Sequence, residues 1–215
     1  LIRKIGIRAT QERIKEIVRT KKVDLLLVSL QGDSFQFSIE FFHELRGMTK
    51  LVLWQYDDEC FFEILSKHYA QAVDAVIATG YFQVYAYRAL RIPTIPLHAQ
   101  VNKSLFYPVE AKKDIDVSFI GYCTKNDRIE CIEFLRENGI KVETYGTGSK
   151  TGFLELSALH AIYARTKISL NFTELGGVDW LNDDDPMLNN VRQLKARPAQ
   201  TAATRAFCLS EYEPS

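Results

Sequence analysis

"IDVSFIGYCTKNDRIECIEFLRENGIKVETYG" (Ile115–Gly146) decides the fold of this chain. Ile115–Tyr122 is a short, continuous apolar run, the pattern of a strand buried on both faces rather than one alternating between core and water. Asn126–Gly139 has helical composition, with Asn126 or Asp127 as its N-cap and Gly139 as its stop. "KVETYG" is strand again. Strand, helix and strand at this spacing form one βαβ unit, which predicts a parallel sheet with right-handed crossovers.

The same alternation extends in both directions. Upstream, Val23–Leu30, Lys50–Gln55, Asp74–Thr79 and Pro93–Leu97 are predicted strands, with helical patterns over Gln11–Arg19, Ser34–Arg46, Glu59–Ala72 and Gln83–Leu90. Pro93 and Pro96 make the fourth strand an edge or a short piece. Downstream come a helix at Leu154–Arg165, a strand at Lys167–Phe172 and an irregular polar stretch from Thr173 to Asn190. A short helix over Ala199–Thr204, entered through Pro198, then leads to a buried strand at Phe207–Leu209. Between the two sets, Asn102–Asp116 is polar, lacks periodicity and contains Pro108. The expectation is an α/β protein of two Rossmann-like domains, residues 1–108 and 109–215, with a single doubly wound sheet as the alternative. The chain opens at Leu1 without a methionine and is expected to be a fragment, its second domain incomplete.

Hydrophobic content of 47% and charged content of 25% are those of an ordinary globular protein. Lys+Arg and Asp+Glu number 27 each, so no global field attracts nucleic acid or an anionic membrane. Any anion must be held by a local arrangement. The four cysteines (Cys60, Cys123, Cys131, Cys208) show neither C-x-x-C nor zinc spacing and predict buried thiols in a reducing cytosol. No apolar run is long enough to span a bilayer, and no signal peptide is visible. A cytoplasmic protein is expected.

Lys195 and Arg197 sit just before the predicted helix start, where the macrodipole already places about half a positive charge. Two cations there call for an anion. "GYCTKNDR" (Gly121–Arg128) repeats the pattern, with Lys125 and Arg128 beside another helix start, and the two clusters suggest one shared anion such as a diphosphate. "YGTGS" (Tyr145–Ser149) has the G-x-G of a phosphate loop without its third glycine.

In open α/β sheets ligands bind beyond the carboxyl ends of the strands. In the first set those ends carry Gln31–Asp33, Tyr56–Glu59, Thr79–Tyr81 and His98. In the second they carry Gly121 and Tyr122, Tyr145–Gly148, Asn171–Thr173 and Ser210 with Glu211. Asp57 and Asp58 are candidates for a general base or a hydroxyl-binding carboxylate, although three acids opening a helix also suit its macrodipole without any function. His98 is a second candidate base, with a structural hydrogen bond as its simpler role. His43, His68 and His160 lie in helices and are taken as structural. "WLNDDDP" (Trp180–Pro186) matches a solvated acidic loop better than a fixed coordination shell, so no metal is expected.

"RIPTIPLHAQVNKSLFYP" (Arg91–Pro108), then "DIDVSFIGY" (Asp114–Tyr122), resembles the linker and the start of the second domain in GT-B glycosyltransferases. "KISLNF" (Lys167–Phe172) followed by "QLKARPAQTAATRAFCLSEYEP" (Gln193–Pro214) is similar to the C-terminal motif of the CgeB-like, or spore maturation protein, family. "LVLWQYDDE" (Leu51–Glu59) resembles that family's first-domain strand and acidic turn. The resemblance runs from about Val23 to the end and rests on the order of loose motifs.

It implies two Rossmann-like domains facing a cleft and a glycosyltransferase using a nucleotide-diphosphate sugar of the UDP or GDP type. The acceptor, met by the first domain, would be a glycan, a protein or a small molecule, and neither metal nor other cofactor is required. Lys195, Arg197, Lys125 or Arg128 would face the diphosphate. Gly121, Tyr122, Tyr145, Gly146, Thr147, Asn171, Gln200 and Glu211 would complete the donor site, and Asp57, Asp58 or His98 would serve the acceptor. Gln200 stands where the family carries a glutamate for the ribose, with Glu211 as its substitute, and Arg205 stands at a turn where glycine is usual. These departures keep a non-catalytic nucleotide- or sugar-binding protein as the alternative, with a sugar-nucleotide epimerase behind it.

Overall fold

A computed structural model describes residues 2–30, 37–98, 100–175, 191–193 and 195–212. The chain divides into two compact units, Leu1–His98 and Ala99–Pro214. Among the described residues each has its own four-stranded, all-parallel sheet, so the single-sheet alternative is excluded.

The first unit begins with helices α1 (Ile2–Ile5) and α2 (Ile7–Lys21), ahead of β1 (Leu25–Val28). Helix α3 (Ile39–Arg46) starts where the Ser38 hydroxyl accepts the Phe41 N–H at 3.4 Å, later than the sequence suggested. Then come β2 (Lys50–Gln55), α4 (Asp58–Phe61), a π-helical turn (Phe62–Ser66), α5 (Lys67–Ala70), β3 (Ala75–Ala78), α6 (Tyr81–Ala89) and β4 (Thr94–Pro96). The predicted helix over Glu59–Ala72 is thus helical from Asp58 to Ala70, with a π turn at its centre. The strand order is β1-β2-β3-β4, with Pro93 and Pro96 at the edge, where a missing N–H is tolerated.

Stepping always in one direction, right-handed crossovers put the connecting helices on one face. That face buries Leu51, Leu53 and Val76 against Phe42, Leu45 and Tyr87. The other face leaves Leu25, Leu27 and Ile95 exposed. The apolar runs of this sheet thus cover one buried face, not the two that were expected.

The second unit consists of β5 (Ile115–Ile120), α7 (Asn126–Glu137), β6 (Val142–Tyr145), α8 (Leu156–Arg165), β7 (Thr166–Asn171), α9 (Arg197–Ala203) and β8 (Phe207–Ser210). Its order is β6-β5-β7-β8, so the chain steps one way from β5 to β6 and then returns past β5. Reversal places helices on opposite faces. Ile132 of α7 packs with Val117, Phe119 and Leu170, whereas Tyr163 of α8 packs with Phe106, Ile120 and Tyr145.

Helix α7 stops at Gly139, whose φ of 80° suits a residue without Cβ. The Gly139 and Ile140 N–H groups close the last turn on the Arg136 and Leu135 carbonyls. At the other end Lys125, in extended conformation, is the N-cap, one residue before the predicted Asn126 and two before Asp127, and its side chain makes no capping hydrogen bond. Strand β8 is an edge and not a buried strand, with Phe207 64% and Leu209 54% exposed. Among the described residues no disulfide forms; Cys123 is buried, while Cys60, Cys131 and Cys208 are half-buried.

Candidate functional site

The return past β5 makes a topological switch point between the carboxyl ends of β5 and β7, where open α/β sheets bind ligands. Arg197 fills it. Its Nε donates to the Ile120 carbonyl at 2.7 Å, and its Nη1 to Asn171 Oδ1 at 2.7 Å and more weakly to the Phe172 carbonyl at 3.4 Å. The guanidinium packs on the Phe119 ring, 5.2 Å from its centroid. Its Nη2 lies against Gly121, where an added Cβ would come within 2.8 Å. Every acceptor that Arg197 meets among the described residues is a neutral carbonyl or amide. Burial lowers its pKa, and the like charge of Arg128 pulls the same way.

Arg128 is 1% exposed. Its Nη1 and Nη2 donate to the Tyr122 and Glu174 carbonyls at 2.9 and 3.1 Å, and its guanidinium also packs on Phe119, at 5.8 Å. So deep a side chain has almost no surface with which to touch a ligand. Lys125 donates to the Leu175 carbonyl and stands 4.0 Å from Glu174, and Lys195 donates to the Gln193 side chain. Of the four predicted cations, Arg197 is the one at the switch point.

Two glycines let the strand ends meet. The Gly121 N–H donates to the Tyr145 carbonyl at 2.9 Å, and Cys123 N–H to the Thr147 carbonyl at 2.8 Å. Gly146, with φ of 106°, lies so close that a Cβ there would collide with the Gly121 carbonyl oxygen. Beside this contact is a mainly apolar cavity of about 280 Å³, lined by Ile120, Gly121, Tyr122, Gly146, Thr147 and Phe153, among others. Tyr122 is exposed, whereas Tyr145 is buried and donates to Glu143 at 2.6 Å; burial first, and then that carboxylate, push its hydroxyl up to about 12.

Gln200 Oε1 accepts the Tyr163 hydroxyl at 3.4 Å. Glu211 accepts the Thr173 N–H at 2.7 Å and the Thr173 hydroxyl at 3.2 Å, joining the segments that follow β7 and β8. A larger hollow of about 770 Å³ lies between α7 and the outer edge of β6. There Arg136 caps the Val142 carbonyl at 2.8 Å, a device that blunts an edge strand. It shares no residue with the surroundings of Arg197, whereas the smaller cavity is lined by Ile120 and Gly121, both of which Arg197 touches, and is the better candidate site.

In the first unit, Asp57 is exposed and left-handed at φ 53°. Asp58 is 0% exposed and accepts the Tyr87 hydroxyl at 2.5 Å. Burial pushes its carboxyl up to about 6, against the smaller lowering by Ser66 and Tyr87. A carboxyl so enclosed offers no surface to a ligand, which leaves Asp57 as the accessible acid of the pair. His98 Nδ1 donates to the Thr79 carbonyl at 2.9 Å, and the ring stacks on Tyr81 at 3.9 Å. Gln31–Asp33, the Ser34 helix start, and Trp180–Pro186 with most of the polar stretch around it lie outside the described residues. Among the described residues no group of three His, Cys, Asp or Glu side chains is placed to hold a metal, and no helix is long and apolar enough to cross a membrane.

The sequence singled out Gly121, Gly146 and Asn171 by their place at strand ends, and Arg197 as a cation beside a helix start. It missed Phe119, the platform for both guanidiniums, and it named Ser210 by its place beyond a strand end without foreseeing the bond to Asn171.

No family model matches this sequence, and no curated protein matches it. Among solved structures, the fold is similar to that of the pneumococcal O-GlcNAc transferase GtfA, in its crystal structure with UDP and GlcNAc. The TM-score is 0.50 and the identity 13%, over 75% of this chain and 40% of that one. The Gap123 glycosylation-associated protein complex from Streptococcus agalactiae gives 0.45 and 12%, over 77% and 41%. At such identity the GtfA likeness concerns the α/β fold and its parallel sheets, and the weaker match adds nothing to it. The chain spans well under half the length of either structure.

Proposed function

We propose that the second unit binds the diphosphate of a nucleotide sugar through Arg197, in a GT-B glycosyltransferase of the CgeB-like kind. One observation carries this reading. Arg197 is a largely desolvated cation at the sheet's switch point, and its described partners are all neutral. A cation taken from water without a countercharge is costly, and a bound anion offsets that cost. Arg128 deepens the positive field from below. The 280 Å³ cavity beside Gly121 and Gly146 provides an apolar, partly backbone-lined surface for the remainder of the donor.

In sugar transfer, negative charge builds on the diphosphate as the glycosidic bond breaks. A fixed guanidinium aimed at those oxygens stabilises the leaving group without reorganising, the work that a metal ion does elsewhere. The likeness to a transferase crystallised with UDP supports UDP as the first nucleotide to test. Glu211 and Gln200 are proposed to meet the ribose, and Asp57 or His98 the acceptor. Calorimetric titration with UDP should show binding that Arg197→Ala abolishes. Unchanged affinity in that variant would refute the assignment.

A second reading, a binding protein without turnover, draws on Gln200, an amide lacking the charge assistance of a carboxylate. Incubation with nucleotide-diphosphate sugars separates the two, since the enzyme releases free nucleoside diphosphate and the binder does not.

A further inference from the structure

Asn171 is 3% exposed, so it has almost no surface with which to touch a ligand. Its partners run in one direction. The Ser210 hydroxyl donates its single proton to the Glu211 carbonyl at 2.8 Å, which leaves its oxygen to accept Asn171 Nδ2 at 2.8 Å. With Nδ2 committed, Oδ1 must face Arg197 Nη1, where it accepts at 2.7 Å. A fixed backbone carbonyl therefore sets the orientation of the amide, and the amide sets that of the guanidinium.

The neutrality of this chain matters as much as its direction. An aspartate would fit the same volume, but it could donate nothing to Ser210 and would neutralise Arg197. An amide supplies an acceptor without a charge. We infer that Asn171 and Ser210 are positioning residues that aim Arg197 and keep its charge uncompensated, so that the switch point selects an anion. This rests on the diphosphate reading above, and it assigns Asn171 to Arg197 instead of to the ligand.

The test is UDP titration of the whole chain by calorimetry, with thermal unfolding measured without ligand. Asn171→Asp should bind UDP at least about tenfold more weakly than the unaltered chain while melting no lower, because the new carboxylate pairs with Arg197. Asn171→Ala should lose less affinity and melt lower, since the charge survives but the hydrogen bonds do not. A residue that only ties β7 to β8 would give the reverse order, with alanine the worse binder, and that result overturns the inference. UDP affinity of Asn171→Asp within about twofold of the unaltered chain overturns it too, and leaves the diphosphate reading standing. Absence of UDP binding by the unaltered chain removes the diphosphate reading and this inference with it. Should both Asn171 variants fail to fold, Ser210→Ala decides: a loss of about threefold supports the relay, and unchanged affinity overturns it.

Discussion

Replacing Asp58 by asparagine probes the most strongly buried acid of the first unit. The carboxyl has a pKa of about 6 in the folded chain against 3.8 for an ordinary aspartate, chiefly through burial. A pKa raised by folding means that the native state holds its proton more tightly than the unfolded chain does. The stabilisation from protonation is complete below 3.8 and is lost as pH rises through about 6. A shift of roughly two units corresponds to about 3 kcal/mol. Asparagine has nearly the same shape, can still accept the Tyr87 hydroxyl, and does not ionise.

The stability of Asp58→Asn minus that of the unaltered chain should therefore rise by about 3 kcal/mol between pH 2.5 and pH 7.5, then level off. Urea unfolding followed by circular dichroism at half-unit intervals measures it, and taking the difference removes the contribution of other titrating groups. A constant offset attributable to packing is immaterial. A difference that stays flat across this range, or falls, would refute the account of Asp58 as a desolvated acid.

Two further outcomes follow from backbone geometry. Arg205 is left-handed at φ 58°, and its side chain is mostly solvated, 3.9 Å from an exposed Glu110. Relief of the left-handed strain, about 1–2 kcal/mol, outweighs the added freedom of glycine in the unfolded chain, about 0.4–1 kcal/mol. Arg205→Gly should thus raise stability by about 0.5–1 kcal/mol in urea unfolding, and a loss would contradict it. Gly146→Ala combines a φ of 106° with a collision against the Gly121 carbonyl. It should cost about 2–4 kcal/mol in the same measurement, and a neutral result would show that the strand ends can separate without penalty.

Arg128 and Arg197 were equivalent in the sequence, each a basic residue near a helix start. They differ because of what lies around them. Arg128 is enclosed beneath the sheet edge, between Phe119 and Phe172, whereas Arg197 reaches the gap between two strand ends. The Ile120 carbonyl that Arg197 meets is 77 residues away along the chain. Asp57 and Asp58 were likewise indistinguishable as neighbours in an acidic turn. The left-handed conformation at Asp57 accompanies opposite environments for the two side chains, one exposed and one sealed under Tyr87.

By itself the sequence determined the alternation of strands and helices, the parallel character of both sheets and the stop at Gly139. Apolar runs, caps and glycines act within a few residues of themselves, so their consequences are local and can be read in order. Which sheet face stays open, which strand becomes the edge, and which arginine reaches the gap between two strand ends were decided by tertiary structure alone. Each depends on strand order and on contacts between distant segments, because burial and charge compensation are properties of a surrounding volume and not of a stretch of chain.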